Sequence, residues 1–194
     1  IVKEELNKLV GALERKYELF IPEIVFSIED GLKVAHEIRQ RGISCIIIHL
    51  PIWATPNFAF RIAYSTDKPV LIVGNKRPDS SSLVTLLATA GMMDQTGKKC
   101  IRLLVDAENP QDIQKIDDFV SACHLVDGLK KSSYCLVGGR SIGIGTTVAD
   151  PSQWQSVFGV EFDHRDQYEI VYRANTCDSE RVEFHKTWIR ANFR

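Results

Sequence analysis

The amino-acid sequence predicts a doubly wound parallel α/β sheet (Rossmann- or flavodoxin-like), followed by the beginning of a second α/β domain. Residues 44–50 (Ser-Cys-Ile-Ile-Ile-His-Leu) form an uninterrupted β-branched run rather than an alternating one, the pattern of a strand buried on both faces of a parallel sheet. Similar runs alternate with helix-length amphipathic segments, as βαβ units require. The texture then changes after Gly145. Only about one and a half βα units follow the glycine-rich turn at Gly138, too little for an independent core. Residues 1–131 are therefore expected to be a first α/β domain lacking its initial strand, and residues 132–194 the incomplete start of a second.

Residues 1–17 carry Val2, Leu6, Val10 and Leu13 at helical spacing. An α/β domain rarely begins with a helix, so a preceding strand and its loop are expected upstream. Residues 23–27 read as a short strand, and 28–41 as a helix begun at Ser27 and Asp30, with Leu32, Ala35 and Ile38 inward and Gly42 as its stop. Pro51 ends the 44–50 strand. Residues 70–73 are the next strand, 74–79 a loop, 80–95 a helix and 100–106 a strand. Asn109-Pro110 introduces a long helix over 111–129, where proline in the first turn is tolerated. Residues 134–137 start the next unit, 151–158 form a short helix, 159–163 and 168–172 read as strand pieces, and 178–193 is a charged amphipathic helix.

Composition narrows the function classes. The chain has 194 residues, enough for one sizeable domain and part of another. A net charge of −1 gives no electrostatic reason to expect nucleic acid or an acidic membrane surface as partner. No run approaches the ~18 apolar residues of a membrane span, and the first residues are no secretory signal, so the expected compartment is the cytoplasm. The five cysteines are odd in number and show no Cys-x-x-Cys spacing; three lie in apolar strand-like runs and read as small buried hydrophobes. His36, His49, His124, His164 and His185 form no ligand pair, which argues against a metal site built wholly from this chain.

Ligands on open α/β sheets bind beyond the carboxyl ends of the strands, and three such ends carry unusual residues. Trp53 lies between Pro51 and Pro56, where it can be a platform for the apolar face of a sugar or a plug for a local gap or subunit contact. After the 70–73 strand, Asn75 can contact hydroxyl groups, while Asp79 or Ser80 can cap the next helix, which by itself would explain those residues. The third is the turn Gly138-Gly-Arg-Ser-Ile-Gly-Ile-Gly145, whose glycines suit a loop that wraps a ligand and whose Arg140 offers a forked donor. It resembles a dinucleotide fingerprint in letters, but no helix follows the third glycine directly. Asp163, Asp166 and Glu169 beside His164 can bind a divalent metal or pass protons, or form a solvated, salt-bridged surface.

The segments Gly138-Gly-Arg-Ser-Ile-Gly, Asp150-Pro-Ser-Gln-Trp-Gln-Ser-Val-Phe-Gly-Val160 and Asp166-Gln-Tyr-Glu-Ile-Val171 resemble the start of the second domain of the L-fucose isomerase-like family. Pro69-Val-Leu-Ile-Val-Gly-Asn75, Pro78-Asp-Ser-Ser-Ser-Leu-Val84 and Ala90-Gly-Met-Met-Asp-Gln-Thr-Gly97 are similar to its first domain. The resemblance implies part of an aldose–ketose isomerase that uses Mn²⁺ or a similar divalent cation and works by an enediol route. It implies a trimer or hexamer in which Trp53 lies over the sugar of a neighbouring subunit, and a loop at Arg140, Ser141, Ile142 and Gly143 that edges the same cavity. The family's metal ligands fall later than this chain reaches, so no catalytic or metal-binding residue carries over, and the chain alone is expected to be inactive. A noncatalytic sugar- or effector-binding module of two α/β domains is the alternative; a nucleotide-binding domain is disfavoured by the missing helix after the glycine turn.

Overall fold

The apolar runs that read as two-faced strands pair with one another. The computed structural model describes residues 1–140, 142–145 and 150–193. In it β1 (Ile46–Leu50), β2 (Val70–Asn75) and β3 (Ile101–Val105) form one sheet in the order β1-β2-β3. Both pairings are parallel, with Ile46 opposite Val70 and Leu71 opposite Ile101. The central strand β2 is buried at every position, whereas β1 alternates between buried and half-buried.

Successive β2 side chains feed two separate cores, because side chains alternate across a sheet. Val70 and Ile72 join Ile46, Ile48 and Leu50 of β1 against α2 (Ile28–Gln40), α3 (Pro56–Tyr64) and α4 (Ser82–Thr96). Leu71 and Val73 face the other way, against Leu9 and Leu13 of α1 (Val2–Leu13) and Ile116, Phe119 and Val120 of α5 (Pro110–Leu129). Each such fully buried Val, Leu or Ile contributes about 1.5–3 kcal/mol relative to exposure, so the 70–73 run anchors both layers.

Local chemistry sets the helix ends. Ser27 Oγ accepts from Asp30 N at 3.1 Å and Asp30 Oδ2 accepts from Phe26 N at 3.3 Å, a reciprocal cap for α2. Asn109 Oδ1 accepts from Gln111 N at 2.9 Å at the start of α5. Gly97 ends α4 with a φ of 70°, a left-handed conformation that glycine adopts without a Cβ clash.

Contacts divide the chain into Ile1–Leu125 and Val126–Arg194, within the last turns of α5. In the second unit β4 (Ser133–Val137) pairs in parallel with β5 (Glu161–Arg165). They are connected through α6 (Pro151–Phe158), which Asp150 caps by accepting from Gln153 N at 2.8 Å. The Tyr134 ring packs 4.8 Å from Trp154 and 5.7 Å from Phe162. Helices α7 (Tyr168–Thr176) and α8 (Ser179–Asn192) follow. Among the described residues of this unit only Val160 is a fully buried hydrophobe, and Tyr168, Ile170, Phe184 and Trp188 are exposed. The chain is thus mixed α/β with parallel sheets. Among the described residues no helix is long and apolar enough to cross a membrane.

Several expectations are corrected. Residues 23–27 form no strand: 18–26 run without regular structure, separated from β1 by a cavity of about 1010 Å³, so Ile24 and Val25 have no edge to pair with. Residues 168–172 belong to α7 instead of a strand, because Asp166 Oδ1 accepts from Tyr168 N at 2.7 Å and Glu169 pairs with Arg173 one turn on. Helix α3 was not foreseen; Pro56 occupies its first turn, where no amide donor is missed. Leu32 is exposed on α2, with Val34 taking the inward place. Cys135 is exposed on β4, since the small sheet is not covered on that side.

Candidate functional site

The carboxyl end of the three-stranded sheet gathers polar side chains that the apolar strands deliver and then stop. His49, next to last in β1, meets Asn75, last in β2, with His49 Nε2 2.8 Å from Asn75 Oδ1. Asn75 Nδ2 donates to Glu5 Oε2 at 3.0 Å, and Arg77 donates to Glu5 Oε1 at 3.0 Å. Arg77 also grips Asp79 at 3.0 Å. Because the amide of Asn75 donates to a carboxylate, its oxygen must accept, which places the shared proton on His49 Nε2 and leaves Nδ1 as the acceptor of a neutral ring. Burial pushes the His49 pKa below its ordinary value, against smaller opposing effects of the Asn75 bond and the Glu5 charge.

Glu5 is 7% exposed yet charged-compatible, because Arg77, Asn75 and, at 3.6 Å, Lys8 surround it. A carboxylate so compensated is a structural anchor. It ties the first turns of α1 to the end of β2.

Behind this cluster the Ser82 hydroxyl, fully buried, donates to Leu50 O at 2.5 Å and accepts from Asn75 N at 2.7 Å. It joins the ends of β1 and β2 to the start of α4. Gly74 makes that approach possible: a Cβ there would lie 2.9 Å from Ser82 Oγ and 3.1 Å from Leu86 Cδ1. The 51–55 loop is laid on the same helix start, with Trp53 N donating to Ser80 O at 2.9 Å and Ala54 N to Thr85 Oγ1 at 3.0 Å. Both bonds fix the backbone while the Trp53 side chain stays 60% exposed. The edge therefore presents a held, open aromatic face, suited to stacking on the apolar face of a ring.

Asn75 occupies a different place from that of a free hydroxyl contact. It is buried, and both its amide groups are engaged by His49 and Glu5. Of the expected caps, Ser80 Oγ accepts from Ser82 N at 3.3 Å, whereas Asp79 is drawn to Arg77, which holds its carboxyl below the usual range. His49, Glu5 and Arg77 were missed as a cluster. One signal existed: Glu5 stands on the 5-9-13 stripe whose other members, Leu9 and Leu13, are buried.

In the second unit, Gly138 and Gly143 have φ of 89° and 81°, so the turn uses backbone that other residues avoid. Gly138 N donates to Arg165 O at 2.9 Å, and His164 Nε2 donates to Gly138 O at 2.7 Å. Arg140 is exposed, Ile142 fully so, and Gly143 is exposed as well; Ser141 lies outside the described residues. The nearby acids are engaged by protein partners. Asp163 accepts from His164 N and Arg165, Asp166 caps α7, and Glu169 pairs with Arg173. Among the described residues no group of three His, Cys, Asp or Glu could hold a metal ion.

In comparisons with known proteins, no family model matches the chain and no curated protein matches it.

Proposed function

We propose that this chain is part of an aldose–ketose isomerase resembling the L-fucose isomerase-like family, and that its first unit is a doubly wound, Rossmann- or flavodoxin-like sheet whose carboxyl edge borders the sugar. The observation that carries the reading is Trp53: its backbone is fixed on both sides of the ring's attachment, to Ser80 just ahead of α4 and to Thr85 within it, and its face is left open at the strand ends where such sheets take ligands. His49, Asn75 and Glu5 then act as positioning residues beneath it. The resemblance also gives Arg140, Ile142 and Gly143 a part in sugar binding. The divalent cation, Mn²⁺ or a similar ion, is held outside this chain, and no proton transfer is assigned to the residues present. The assembly is a trimer or hexamer in which Trp53 covers the sugar of a neighbouring subunit.

The test is an assay of the longer protein against a panel of aldoses with and without Mn²⁺, beside the chain of 194 residues alone. Metal-dependent ketose formation by the longer protein and none by the chain is the expected result. Saturable sugar binding without turnover would replace this reading with a noncatalytic sugar-binding module. Turnover by the chain alone would overturn the assignment of the metal site.

A further inference from the structure

The cavity of about 1010 Å³ is lined by every residue of β1. One long wall is the outer edge of β1. Ile46 N donates to Pro69 O across the pairing with β2, so in a parallel ladder the backbone groups of Ile47 and His49 point away from β2. Among the described residues no backbone hydrogen bond is made there by either. The opposite wall is the 20–26 segment, which runs in the same direction as β1. Phe20 lies under the Arg41 guanidinium, 4.0 Å away at the end of α2, and Phe26 stands at the first turn of α2, where its amide donates to Asp30.

The two faces are covered by helices. Val2, Leu6 and Val10 of α1, all half-buried, line one, and Val34 and Ile38 of α2 line the other. No charged side chain of either helix enters the lining. A five-residue strand at ~3.3 Å per residue, with neighbours ~4.8 Å away and side chains filling half of a ~10 Å layer on each face, occupies roughly 800 Å³. That is close to the space present.

We propose that this space is a strand site, filled by a segment of about five residues that is apolar on both faces, runs parallel to β1 and leads directly into α1. The direction follows from α1 itself. Its first turns lie at the carboxyl edge, where Glu5 bonds to Asn75 and Lys8 approaches Glu108 after β3. A strand parallel to β1 would end at that same edge, one short turn from Val2. It would pair with Ile47 and His49 on one side and give Ile24 and Val25 the edge they lack on the other. This inference does not rest on the function proposed above.

The experiment compares the chain of 194 residues with the same chain carrying Val-Ile-Val-Ile-Val and a three-residue Gly-containing turn fused ahead of Ile1. The readout is amide hydrogen exchange, with a fusion bearing proline at the third strand position as control. Slowing by about 100-fold of Ile47, His49 and one of the two consecutive amides Ile24 and Val25 in the first fusion, but not in the proline control, is expected. Unchanged exchange at these amides in both fusions overturns the proposal. So does protection of Ile47 and His49 in the unfused chain that rises with protein concentration, since a second copy would then fill the site.

Discussion

His49 and Asn75 share one proton bridge at the carboxyl end of the sheet, 2.8 Å from Nε2 to Oδ1, and burial holds the imidazole neutral there. The folded pKa of His49 lies below its ordinary value of 6.5, so on acidification the unfolded chain takes up a proton that the folded chain refuses. Stability contributed by this site is complete above pH 6.5 and falls as pH drops below it. Melting temperatures of the wild type should decline from pH 7 to pH 5, and His49→Gln should flatten the decline. An equal slope in both proteins would show that His49 does not titrate across this range.

Asp112 is 1% exposed and accepts from Lys76 at 2.6 Å, from Lys115 at 3.0 Å and from Asp106 N at 3.1 Å. The Lys76 bond, before the others, holds its carboxyl far below the usual range. Asp112→Ala should therefore cost about 2–3 kcal/mol, the scale of a charge-assisted hydrogen-bond set lost from a buried position. Urea denaturation near neutral pH measures it. Because a depressed carboxyl stabilises above its unfolded pKa, the wild-type advantage should persist at pH 5 and disappear only in stronger acid.

Gly74→Ala should destabilise by about 1–3 kcal/mol through overpacking. The added methyl would press on Ser82 Oγ at 2.9 Å, a hydroxyl already committed to β1 and β2. A thermal melt decides the matter. An unchanged melting temperature would mean that α4 shifts outward without loss.

Trp53→Ala should leave the melting temperature nearly unchanged, because the ring is 60% exposed and the loop is held by backbone bonds. Under the proposed sugar contact, it should raise KM several-fold in the longer protein, since aromatic stacking is worth ~0.5–1.5 kcal/mol beyond the area covered. A drop of many degrees with KM unchanged would make Trp53 a structural plug.

How far the sequence could be read depended on whether the cause was local. The 44–50 and 70–73 runs were recognisable because burial leaves them almost wholly apolar, His49 being the exception within the strand, and both became strands of one sheet, over Ile46–Leu50 and Val70–Asn75. The α2 start was readable for the same reason, as Ser27 and Asp30 meet within one turn. Residues 23–27 failed because a strand requires a neighbour, and the edge it would join lies across a cavity. Residues 168–172 failed because Asp166, just outside the run, decides the helix. The cluster of Glu5, His49, Asn75 and Arg77 is drawn from four elements or loops, and no short-range pattern connects them. Only the misplaced carboxylate on the 5-9-13 stripe hinted at it.

The parallel register also governs how this protein is made. Ile46 pairs with Val70 and Leu71 with Ile101, so no strand can bond its partner until a whole helix has been synthesised between them. Such non-local closure is slow compared with helix formation. During that delay the 45–48 and 70–73 runs, uncharged and mostly β-branched, are exposed together on an unfinished chain. The same two stretches that anchor the finished core are thus where nascent chains would stick to one another.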